Sequence, residues 1–150
     1  MIWLSLFCWL AMMLSAGAAT GRVIKVLPLF LDIKGRAALS PSLYERDAYQ
    51  AILAQHPEQC SGIRYAVEWK TKGPAWESLK LQVELRGTAQ GAAPRQLVLT
   101  KSAQTTGWLG RWMDIDLEKD DYKALGQVTA WRVTLWEGGQ LLGEQKSFLW

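Results

Sequence analysis

Histidine is nearly missing from this chain, asparagine is missing altogether, and cysteine occurs only twice. Without asparagine there is no Asn-x-Ser/Thr glycosylation site, and turns fall to Gly, Pro, Asp and Ser. The one histidine, His56, directly precedes Pro57. A His56–Cys60 dyad can be written down, but nucleophilic chemistry also needs an orienting group and an oxyanion site, and neither is signalled. A helix-terminal role suits His56 better. Gly-rich phosphate loops, serine nucleophile elbows and zinc-ligand spacings are lacking too. The sequence therefore predicts a non-enzyme with no catalytic residue, metal ligand or cofactor. A formal charge of +3, with no basic cluster to concentrate it, also excludes a nucleic-acid partner.

Long apolar runs are scarce. The one at the start, Ile2 to Leu14, is too short to span a bilayer comfortably, which takes about 20 residues. Ala16-Gly17-Ala18 follows at signal-peptidase spacing, so residues 1–18 read as a signal peptide and the mature chain is expected to begin at Ala19 or Thr20. No Lys or Arg precedes the run, which keeps an uncleaved anchor as the alternative. Cys8 lies inside the run in no lipoprotein context. The expected destination is periplasmic or extracellular, with no stable membrane span after cleavage. Cys60 is then the one remaining thiol, so no internal disulfide can form. A buried, inert thiol is the expectation.

What is abundant is period-two alternation. Ile63, Tyr65, Val67 and Trp69 alternate with polar residues or Ala66, and Leu79, Leu81, Val83 and Leu85 alternate with Lys80, Gln82, Glu84 and Arg86. Shorter runs cover 96–101 and 113–117. Thr129, Trp131, Val133 and Leu135 form the inward face of a further strand, Gly138-Gly139 turns the chain, and 142–150 returns as the last strand. Residues 23–31 form a first strand whose Pro28 sends it to a sheet edge. About seven strands in residues 19–150 predict one mostly β domain, an antiparallel immunoglobulin-like sandwich. The segment 120–126, a short helical turn carrying Tyr122, resembles the crossing between sheets in immunoglobulin-like domains.

One helical insertion, at about 41–56, interrupts the strands. Ser40-Pro41 offers a cap with Pro in the first turn, and Ser42 with Glu45 offers a capping box. Tyr44, Ala48, Ala51 and Ile52 recur at helical spacing before Pro57 stops the run. The insertion is expected to cover an open edge or end of the sheets.

Three clusters are candidates for function. Asp114, Asp116, Glu118, Asp120 and Asp121 could supply oxygen ligands to calcium, but the EF-hand spacing fails, and a solvated strand face explains the same residues. Nine tryptophans are unusual. Trp69 and Trp131 are in phase with the core, while Trp76, Trp108, Trp112, Trp136 and Trp150 fall at turns, strand ends or out of phase. Of these, Trp76, Trp108 and Trp136 are the candidate aromatic contacts. The insertion adds Tyr44, Arg46 and Tyr49. The sequence thus predicts an exported interaction module binding a protein, with a polysaccharide-binding module using exposed Trp as the alternative. A small hydrolase is the third reading, weakened by the missing histidines.

Overall fold

Alternation along each strand becomes an inner and an outer face. The computed structural model describes residues 20–73, 78–89, 93–104 and 110–150. The signal peptide expected over residues 1–18, and both Trp76 and Trp108, lie outside these described residues. The strands are β1 (Thr20–Asp32), β2 (Cys60–Lys72), β3 (Leu79–Thr88), β4 (Arg95–Ala103), β5 (Arg111–Leu117), β6 (Gln127–Glu137) and β7 (Gln140–Lys146). Between them lie two helices, α1 (Leu43–Gln55) and α2 (Lys119–Leu125), and a 3-10 turn at Pro57–Gln59. The chain is mostly β, arranged as two antiparallel sheets of order β1-β2-β5 and β4-β3-β6-β7.

The two sheets share one core. Ile63, Tyr65, Val67 and Trp69 of β2 meet Leu79, Leu81, Val83 and Leu85 of β3 and Val133 and Leu135 of β6 in one buried cluster. Truncating one of these leucines to alanine forfeits about 2–5 kcal/mol through lost transfer energy and a residual cavity. No disulfide contributes, because Cys60 is free and buried.

Register irregularities change two details. Opposite β3, Arg86 pairs with Ala130 and Gly87 with Val128, which leaves Thr129 as the extra residue of a bulge. Thr129 is therefore exposed, not inward as its phase predicts, and Val128 packs on the core beside Trp131. The last strand also stops early, at Lys146 instead of Trp150. There the Ser147 amide donates to the Trp131 carbonyl at 2.9 Å, the Trp131 amide donates to Ser147 Oγ at 3.0 Å, and the chain turns away. Trp150 ends with its ring 4.0 Å from the Arg86 guanidinium.

The two flanks close differently. On one, β1 passes so close to β7 that a Cβ on Gly143 would lie 2.7 Å from Arg22 Cα, so only glycine fits. On the other, Lys101 Nζ reaches from β4 to the Asp114 carbonyl of β5 at 2.8 Å. β1 is an edge strand, as Pro28 requires, and α1 covers part of that edge.

Candidate interaction surface on helix α1

The attachment of α1 begins at the end of β1. Asp32 is followed by Gly35, a type I turn signature, and the Gly35 amide donates to the Asp32 carbonyl at 2.8 Å. The Asp32 side chain faces inward, only 4% exposed. It accepts from the Lys34 amide at 2.8 Å, the Arg36 amide at 2.9 Å, Arg36 Nε at 2.9 Å and Tyr49 Oη at 2.9 Å. Burial alone would raise its pKa. The donors on Arg36, Tyr49 and Lys34 overcome that and hold the carboxyl far below the usual range. The Tyr49 hydroxyl shifts the other way, raised by burial and then by the carboxylate it donates to.

Gln50 makes the second attachment. Its Oε1 accepts from the Phe30 amide at 2.7 Å and its Nε2 donates to the Phe30 carbonyl at 2.9 Å. One side-chain amide thus takes the place of a neighbouring strand at that edge residue of β1. The same Nε2 donates to the Ala37 carbonyl at 2.7 Å, tying down the connecting loop. A third attachment is apolar, because Leu53 is the one buried residue of α1.

These attachments all lie on one side of the helix. At 100° per residue, Arg46, Tyr49, Gln50 and Leu53 face the body of the protein. Tyr44, Ala48, Ala51 and Ile52 face away, with Tyr44 84% and Ile52 50% exposed. The helical periodicity in the sequence is therefore present, but its apolar stripe points to solvent. The capping box does not form: Ser42 is the N-cap but makes no side-chain cap bond, and its own amide takes Ser40 Oγ at 3.2 Å.

The candidate residues separate accordingly. Tyr44 is fully presented, Tyr49 is bound to Asp32, and Arg46 is half-buried with Asp47 its nearest carboxylate at 3.5 Å. Trp136 lies far from them on the outer face of the second sheet, its Nε1–H donating to Thr134 Oγ1 at 2.8 Å and Lys80 Nζ 6.0 Å from the ring centroid. Trp112, 51% exposed, stands on the outer face of the other sheet, because Met113, Ile115 and Leu117 turn inward. These two rings point in opposite directions and cannot share one flat platform.

The ionisable groups are engaged elsewhere. Cys60 Sγ donates to the Leu53 carbonyl at 3.4 Å, while His56 Nδ1 lies 3.1 Å from Glu58 Oε1, so thiol and imidazole do not form a dyad. Burial raises the thiol's pKa, partly offset by a hydrogen bond from Tyr122. The acidic face of β5 is answered by Arg64 of β2, whose Nε and Nη2 both reach the Asp116 carboxylate at 2.8 Å. A cleft of about 500 Å³ opens near the end of α1, walled by Phe30, Ala54, Ile63, Tyr122, Lys123 and Val128. Its titratable groups are Tyr122, tied to Cys60, and Lys123.

Asp32 and Gln50, which fix the helix, do not stand out in the sequence. The turn signature after Asp32 was the available signal for the first; Gln50 carries none. Among known proteins, the chain matches no family model, no curated protein and no solved structure.

Proposed function

We propose that this chain is an exported, non-enzymatic protein-binding module on an immunoglobulin-like sandwich, with α1 as its contact surface. Three points support the fold reading. The order β1-β2-β5 against β4-β3-β6-β7 matches an immunoglobulin-like arrangement in which the fourth strand pairs beside the third. The sheets share one core, and Tyr122 sits on the crossing between β5 and β6.

One observation carries the functional reading: α1 is attached by Tyr49, Gln50 and a single apolar residue, Leu53, and presents the rest of its apolar stripe outward. Burying a carboxylate is costly unless every lone pair is answered, and Asp32 is answered by a loop and a helix built around it. That arrangement fixes Tyr44, Ala48, Ala51 and Ile52 outward on a rigid support, the setting in which apolar surface marks a contact site. Tyr49 then acts as a positioning residue and Tyr44 as a contact, while Arg46 lies against Asp47 of its own helix.

The test is site-specific photocrosslinking from position 48 in the organism that makes the protein. A discrete adduct that disappears in a Tyr44→Ser, Ile52→Ser variant is the expected result. The same adduct from a probe at Glu84, on the outer face of the second sheet, would place binding elsewhere and overturn the reading.

A further inference from the structure

We infer that the segment received by α1 is a basic amphipathic helix of another protein; this rests on the reading of α1 as the contact surface. Shape and charge both point there. Ala48 and Ala51 lie between Tyr44 and Ile52, leaving a shallow furrow between two larger side chains. A ridge of another helix fits such a furrow at an interaxial distance of about 8–10 Å. An added strand finds no unpaired backbone on a helix and gains nothing there.

The rims of the furrow are acidic. At 100° per residue, Glu45 flanks the stripe on the side of Ile52, about two turns before it, and Asp47 flanks it on the other side, and both are exposed. Glu58 follows just beyond the C-terminal end, also exposed. Half-buried Arg46 answers Asp47 from 3.5 Å and His56 Nδ1 lies 3.1 Å from Glu58, but the last turn of α1 has no basic residue and the three carboxylates outnumber the one arginine. This face is thus acidic although the whole chain carries a net +3. A second copy of α1 laid antiparallel would set Glu45 and Asp47 near the other copy's Glu58, acid against acid. An anionic membrane surface meets the same repulsion. A helix with an apolar stripe between Lys or Arg flanks satisfies furrow and rims together.

Two fluorescein-labelled synthetic helices of identical Leu/Ala stripe, one flanked by Lys and one by Glu, provide the probe. Each is titrated against the full exported chain by fluorescence anisotropy. The Lys-flanked helix should bind about five- to tenfold tighter at low salt, as a few exposed ion pairs provide. That preference should fall toward parity at 0.5 M NaCl. Glu45→Lys with Asp47→Lys should reverse it, with circular dichroism melts confirming that the variant folds. Equal affinity for the two helices, or a preference untouched by the charge reversal, overturns the basic partner and leaves α1 as a contact surface. Binding of neither helix, or binding indifferent to Tyr44→Ser with Ile52→Ser, overturns both readings. Reversible self-association through α1 in the ultracentrifuge would replace the basic helix with a second copy.

Discussion

Asp32 does more to position the proposed surface than any residue in it. Its carboxylate accepts from two backbone amides, a guanidinium and a phenol, so removing it strands several donors at once. Asp32→Ala should cost about 3–5 kcal/mol in urea unfolding, the range for breaking a buried charged network. Tyr49→Phe, which deletes one donor, should cost about 1–2 kcal/mol. The pH dependence has a definite sign. A carboxyl depressed in the folded state binds fewer protons there than in the unfolded chain. Its stabilisation is therefore complete above the unfolded value near pH 4 and is lost as pH falls below it. Acid titrations of stability should be shallower for Asp32→Asn than for wild type below pH 4; identical slopes would mean that the network contributes nothing. Cys60 shows the opposite character, a thiol held neutral by burial. Iodoacetamide should label it far more slowly in the native chain than in urea.

At the scale of elements, the strands were legible and their registers were not. Alternation in 79–86 and 63–69 is local, so each strand's inner face can be read from its own residues. The bulge at Thr129 depends on which residues of β3 lie opposite, and no run of sequence contains that. α1 is the sharper case. Its periodicity is plain, yet the choice of face belongs to Asp32 and Phe30, on a different element. Of the candidate site, Tyr44 was legible as an exposed aromatic, while the inward turn of Tyr49 and Arg46 was not. The two faces of α1 should respond differently to substitution. Leu53→Ala, on the buried side, should cost about 2–5 kcal/mol. Tyr44→Ser with Ile52→Ser should stay within about 0.5 kcal/mol of wild type. Comparable losses from both would show that the stripe is covered in the folded chain. The tryptophans divide similarly. Trp131 packs on the core and Trp136 lies on an outer face, so Trp131→Ala should destabilise by about 3 kcal/mol and Trp136→Ala by about 1 kcal/mol or less.

At the scale of the whole molecule, the chain's entry and its proposed contact surface sit at opposite ends. β1 runs 13 residues from Thr20 to Asp32, about 40 Å at strand rise. Thr20 pairs with Lys72 at one end, and Asp32 pairs with Cys60 beside α1 at the other. A segment preceding Thr20, cleaved or kept, joins the body at the end away from the helix. The position of the cleavage matters to the fold, because Gly21 packs between Leu135 and Leu142 where β1 meets β7. Processing after Ala18 leaves that contact whole; processing beyond Gly21 would remove it. On the proposed export, N-terminal sequencing of the mature protein should return Ala19 or Thr20 as the first residue. A variant truncated to begin at Val23 should lose the seam between β1 and β7 and melt several degrees lower, as the loss of 1–2 kcal/mol brings in a domain of this size. Recovery of Met1 on a membrane-bound form would sink the cleavage prediction and make residues 2–14 an anchor.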